Sequence, residues 1–224
     1  MINKDVIAYF KALEVPKVPA EYEVMNPYKQ QETMKVVKAF ADEYLQDDHQ
    51  RTLLFGINPG RFGSGITGIS FTDPIRLKEV LGIDHPFAMR PELSSEFIYE
   101  VITAFGGPQH FYRHFFISAV YPLGFLHQGK NINYYELKNW RSYMEAEIIR
   151  EMEAQLRWNV SRKQAICIGK GENFKVLTQL NKEHGWFEQL EVLPHPRWIL
   201  QYRRKDKLLH VDRYLKILEA AIAR

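Results

Sequence analysis

The chain holds a single cysteine, Cys167, inside the apolar run QAICIG. A disulfide framework and an iron–sulfur cluster each need several thiols, so both are excluded, and Cys167 reads as a buried core thiol. Long apolar runs are missing as well. Nowhere do about 18 uncharged apolar residues follow one another, the length that a membrane-crossing helix requires. The opening MINKDVIAYFKALEVPK places Lys4 and Asp5 ahead of any apolar stretch, with Lys11 and Glu14 soon after. No secretory signal is expected there, and a cytoplasmic protein is the simple reading. No Gly-Lys-Ser/Thr closes a P-loop, no serine stands on a G-x-S-x-G elbow, and no HExxH is present. Excess charge of one sign is small too. The net charge is +3, which does not by itself imply a nucleic-acid partner, so the distribution of charge has to decide.

What is present is ordinary globular material. Hydrophobic residues make up 46% and charged residues 25%, which argues against disorder. A chain of 224 residues without repeats, low-complexity tracts or long linkers is expected to form one domain, residues 1–224. Four short apolar runs read as strands covered on both faces: 52–58, 114–120, 164–169 and 189–194. Helical patterns separate them. The stretch 14–30 reads as an extended, proline-punctuated lead-in. Residues 31–46 form a helix with Met34, Val37, Ala41 and Tyr44 at helical spacing. Asp73-Pro74 is a good N-cap and first-turn pair for the next helix. Phe97, Val101 and Phe105 share one face of a further helix, stopped by Gly106-Gly107-Pro108. Segments 134–157 and 172–183 supply two more crossovers, and 206–223 is a terminal amphipathic helix. Strands alternating with helices predict an α/β fold: a three-layer α/β/α sandwich on a four-stranded parallel sheet.

In such sheets ligands bind beyond the carboxyl ends of the strands. Those ends carry Asn58-Pro59-Gly60, Ser118–Pro122, Gly169-Lys170-Gly171 and Pro194-His195-Pro196. The first leads into Gly63-Ser-Gly65-Ile-Thr-Gly68, literally a GxGxxG string. A dinucleotide loop needs its glycines between the strand and the helix that caps the pyrophosphate. Here Pro59 interrupts, ISFTDP reads as extended, and the helix starts only near Asp73. No second strand ends in an acid about 20 residues on, as that fingerprint requires. Asn58 ends a buried strand, an unfavourable place for an amide without partners or a job. Phe71 offers a flat face to an aromatic ligand. The bland readings stand beside these: Asn58 caps a turn and Phe71 belongs to the core.

His195 sits between two prolines, which stiffen the backbone that carries it. Arg197, Trp198, Gln201, Tyr202, Arg203, Arg204, Lys205 and Lys207 follow. Cations interleaved with rings suit phosphates and bases, although charge runs also serve as plain solvated faces. His110 and His114, spaced i, i+4, would make half a metal site, but no third ligand is legible and no metal is expected.

At this point the sequence resembles the SMUG-type uracil-DNA glycosylases, the single-strand-selective monofunctional branch of the uracil-DNA glycosylase superfamily. GINPGRFGSGITGISF fits their first motif, G-(M/I)-N-P-G-x-F-G-x-x-x-T-G-(V/I)-x-F. MNPYKQ, FYRHFFISAVYPLGFL with GKNI, AICIGKG and LPHPRW fall in the family's order, over roughly residues 22–215. The resemblance implies a monomeric, cofactor-free glycosylase that flips a damaged base out of DNA and hydrolyses its bond to the sugar. It implies that Asn58 holds the attacking water and that Phe71 stacks on the base. His195 would stabilise the charge growing on the leaving base, while Gly60 and Gly63 let the loop pass close to it. Arg197, Trp198 and Tyr202 would wedge into the vacated stack. Two departures matter. Ala119, beside Ser118, stands where the family has a base-reading Asn, so Ser118 or backbone groups would have to substitute. Arg197 also lies one residue nearer the His than in the family pattern. The alternative that Ala119 motivates is a catalytically silent nucleic-acid-binding protein on the same fold.

Overall fold

The computed structural model describes residues 2–223. Its centre is a parallel sheet of four strands: β2 (Arg51–Gly56), β3 (Phe115–Ala119), β6 (Val160–Ile168) and β7 (Gln189–Leu193), in the order β3-β2-β6-β7. The predicted strands are all present, ending two residues earlier at the first and one earlier at the other three. Register pairs Phe55 with Ser118 and Cys167, so these three point to one face. There Ser118 meets Gln155 and Cys167 meets Asn173. Gln155 belongs to α7 (Arg141–Gln155) and Asn173 to α8 (Glu172–His184), which places both helices on that face. Gly56 and its partner Ala119 face the other way. Burial pushes the Cys167 thiol up to about 12, consistent with an inert core residue.

Helices α2 (Gln31–Tyr44), α4 (Pro74–Glu79), α5 (Leu93–Ala104) and α10 (Lys207–Ile222) fall where periodicity places them. Asp73 caps α4 by accepting the Arg76 N–H at 2.8 Å, as the Asp-Pro pair predicts. Other elements depart from expectation. Helix α7 begins at Arg141 rather than at 134, because Asn133 and Glu136 form a capping box around a separate 3-10 turn. Inside the lead-in, Tyr22–Met25 is a strand, β1, and Asn26 caps a second 3-10 turn. Helix α1 (Ile2–Ala12) docks Val6 and Phe10 into the same core as α10's Leu218.

A second sheet was not legible. Strand β4 (Gly124–His127) pairs antiparallel with β1 and with β5 (Lys130–Ile132). Gln128 and Gly129 turn the β4–β5 hairpin with φ of 51° and 71°, the left-handed pair that a two-residue hairpin loop uses. This small sheet is what delivers residues 131–133 to the carboxyl edge of β2. Arg51 anchors the other end of β2. Its guanidinium is fully buried, donating to the carbonyls of Tyr112, His49 and Tyr44 and to Asp47. Among the described residues no helix is long and apolar enough to cross a membrane.

Candidate active site

The loop after β2 folds back on itself. Ser64–Thr67 forms one helical turn, α3, ended by Gly68 at φ 73°. The segment after it is turned rather than extended, with Phe71 at φ 52°, so the extended reading of ISFTDP was wrong. The loop glycines serve close packing. A Cβ on Gly65 would stand 2.7 Å from the Gly60 carbonyl oxygen, and one on Gly68 would stand 2.7 Å from Val37. No open phosphate cradle results.

Beyond the carboxyl ends of β2 and β3 lies a cavity of about 120 Å³. That is small beside the roughly 300–1,000 Å³ of drug-sized pockets, and it suits a single ring better than a dinucleotide. Asn58, Gly60, Phe71, Ser118, Ala119, His195 and Arg197 all line it. The three residues on which the sequence reading rests, at positions 58, 71 and 195, therefore meet in one place.

Each is held by identifiable forces. The Asn58 amide is clamped to the strand that β5 delivers: Oδ1 accepts the Tyr134 N–H at 3.0 Å, and Nδ2 donates to the Ile132 carbonyl at 3.3 Å. Tyr134 is fixed in turn through its hydroxyl, which donates to Asn173 Oδ1 at 2.9 Å, and Asn173 Nδ2 donates to the Gly56 carbonyl at 3.3 Å. Phe71 lies against Gly56, where a Cβ would come within 2.9 Å of the ring. Its ring centroid is 5.8 Å from that of His195.

His195 caps α9 (Pro196–Tyr202), a helix that the sequence reading did not foresee. Its Nδ1 accepts the Arg197 N–H at 3.2 Å. Burial first, and the Arg197 charge second, pull the imidazole down to about 4. The ring is therefore neutral near pH 7. A neutral ring whose Nδ1 is an acceptor carries its proton on Nε2. The cap thus sets the tautomer and leaves one N–H donor.

Other predicted residues are placed differently. Gly63 does not line the cavity; the space its side chain would fill is taken by the Glu92 carboxylate, 3.0 Å from the Cβ position. Ser118 gives its hydroxyl to Gln155. The basic run is divided. Arg204 pairs with Glu96 and Lys207 with Glu100, while Arg197, Arg203 and Lys205 have no ion pair among the described residues. Arg203 lies over the Trp198 ring at 5.7 Å. Gln201, Tyr202 and Lys205 are exposed and line neither this cavity nor the next one.

That second cavity, about 450 Å³, shares Ile57 and His195 with the first and is lined by Tyr135, Lys170, Trp198, His210 and Arg213. Sequence reading missed His210 and Arg213 on α10, along with Glu92, Ser94, Asn131 and Asn133 in the first cavity. No local signal marks them, since they arrive in pairs from the start of α5, from β5 and its end, and from α10, far apart in the chain. Among the described residues no group of three or more His, Cys, Asp or Glu could hold a metal. His110 and His114 are ring neighbours at 5.0 Å.

Residues 43–219 match the family described as the Uracil DNA glycosylase superfamily. The crystal structure of wild-type SMUG2 from Pedobacter heparinus is similar to this chain at 38% identity and a TM-score of 0.95, covering 100% of this chain and 99% of that one. The comparison with curated proteins finds no match.

Proposed function

Because the chain belongs to the uracil-DNA glycosylase superfamily, on its SMUG-type branch, we propose that it excises uracil or a related deaminated or oxidised base from DNA. The observation that carries this reading is the meeting of Asn58, Phe71 and His195 in one small cavity at the carboxyl edge of the parallel sheet. The extruded base stacks on Phe71. The His195 Nε2–H donates to a carbonyl oxygen of the departing base and stabilises the negative charge that develops there, as an oxyanion-hole donor does. Asn58 is too weak a base to ionise water. It orients the nucleophile with the hydrogen-bonding capacity left over from its backbone contacts. Water adds its hydroxyl to the sugar C1′, and its proton ends on the released base. No lysine lines the cavity, which supports plain hydrolysis without an amine intermediate.

DNA is the partner in this reading. Arg197 stands at the mouth of the cavity, and Trp198, Lys170, His210 and Arg213 line the adjoining one. These cations and rings suit the phosphates and bases on either side of the extruded nucleotide. Gln201 and Tyr202 at the end of α9, and Arg203, Arg204 and Lys205 just after it, extend the same surface, with the Glu96 pairing weakening the contribution of Arg204.

The test is a base-release assay on single- and double-stranded oligonucleotides carrying uracil, hydroxymethyluracil, xanthine or hypoxanthine. Release of free base that persists in chelator is expected. His195→Ala should slow release by about 10²–10³-fold, the scale for one oxyanion donor, and Asn58→Ala by at least as much. Full activity in both variants would refute these roles. Salt-sensitive DNA binding with no release from any substrate would favour the silent binding protein that Ala119 motivates.

A further inference from the structure

A pocket that handles one base needs a group to tell bases apart. Position 119 supplies only a methyl group, and the Ser118 hydroxyl proton is committed to Gln155. Glu92 is the one carboxylate among the residues lining the cavity. Its position is fixed from two sides. The backbone N–H donates to buried Asp73 Oδ2 at 2.8 Å, and Oε1 accepts the Ser94 N–H at 3.3 Å, capping α5. The carboxyl occupies the room left by Gly63, so glycine there makes space for Glu92. Among the described residues no lysine or arginine pairs with it within 4.0 Å; Arg76 is engaged with Asp73 instead. Burial, with Asp73 as a lesser cause, raises its carboxyl above the usual range. A carboxylate that is hydrogen-bonded at the start of α5 but has no cation partner is costly to hold at a pocket wall, and such groups concentrate where they meet a ligand.

We propose that Glu92 is the specificity-determining residue of this pocket, the acceptor that reads a hydrogen-bond donor on the extruded base. This rests on the glycosylase reading above. The bases it favours present a ring N–H or a hydroxyl to the Glu92 carboxylate, as uracil and hydroxymethyluracil can. Neutral cytosine presents a lone pair at the corresponding ring nitrogen, and a carboxylate repels it. A site group left without its ligand partner by the wrong base discriminates strongly.

Glu92→Gln tests this without dismantling the helix cap, since the amide oxygen still accepts the Ser94 N–H. Two readouts are used: kcat/KM for release from each substrate, and equilibrium binding of oligonucleotides carrying 2′-fluoro-2′-deoxyuridine or 2′-fluoro-2′-deoxycytidine, which resist hydrolysis. The expected result is at least a tenfold fall in the uridine-to-cytidine binding ratio and a changed ratio of kcat/KM between uracil and hydroxymethyluracil. Gly63→Ala pushes the carboxylate aside without changing its charge and should move the same ratios in the same direction. The proposal is overturned if both variants leave the ratios unchanged, whether activity holds or falls by one common factor. Should the wild type release no base at all, the glycosylase reading fails, while the analogue-binding ratio still decides the role of Glu92.

Discussion

Acidification tests the state of His195 most directly. In the unfolded chain its imidazole titrates near 6.5, whereas in the folded protein burial holds it at about 4. Between those values the unfolded chain binds more protons than the folded one, so stability falls as the pH is lowered through that window. Above about 6.5 both states are neutral and the contribution is complete. The whole interval is worth roughly 3 kcal/mol, at about 1.4 kcal/mol per pH unit. The ring is only partly buried, and solvent screening cuts this to on the order of 1–2 kcal/mol. His195→Asn removes the titrating group while keeping a good helix cap. Urea denaturation of both proteins from pH 7.5 to 4 should show the wild type losing on the order of 1–2 kcal/mol more than the variant. The acid limb of base release should likewise fall toward pH 4 rather than at 6.5. Equal losses in the two proteins, or an acid limb near 6.5, would show an ordinary imidazole and remove the basis for a neutral Nε2–H donor.

Three further outcomes follow from the same geometry. Gly56→Val drives a side chain into the Phe71 ring and should weaken binding of a base-bearing analogue by about 1–3 kcal/mol, the worth of one base–aromatic stack; unchanged affinity would show that Phe71 does not hold the base. Gly68→Ala adds a side chain at φ 73° within 3 Å of Val37 and Thr33, and should lower unfolding free energy by about 2–4 kcal/mol in urea titrations. Arg197→Ala should weaken DNA binding nearly uniformly across sequences and reduce the log–log salt slope by about 1, whereas Arg204→Ala, already paired with Glu96, should change it less.

The strands of the parallel sheet were legible because each is buried on both faces, and such burial leaves a short apolar run in any sequence. Helices α2, α5 and α10 were legible because one stripe of each must be apolar. Asn58 and His195 stood out at strand ends, and Phe71 stood out as the aromatic that closes the first family motif. The small antiparallel sheet left no such trace: β5 is only Lys-Asn-Ile, and β4, which it pairs with, finds its other partner in Tyr22–Met25, about a hundred residues earlier. Helix α9, only seven residues long, was read as part of the basic run that continues beyond it. Gly63 was read as making room for a base, yet its immediate neighbour is Glu92.

The sequence by itself determined the α/β class, the strand ends at which polar residues gather, and three residues that line one cavity. The class and the strand ends are carried by periodicity and composition, and the three residues by short motifs that resemble the family's. Only the tertiary structure decided that Asn58 is clamped by Tyr134, that the Arg197 amide fixes the tautomer of His195, and that Glu92 enters the pocket across Gly63. The first and last depend on hydrogen bonds or close packing between segments far apart in the chain, which no short window contains, and the second on a helix start whose residues are neighbours but whose geometry and burial only folding sets.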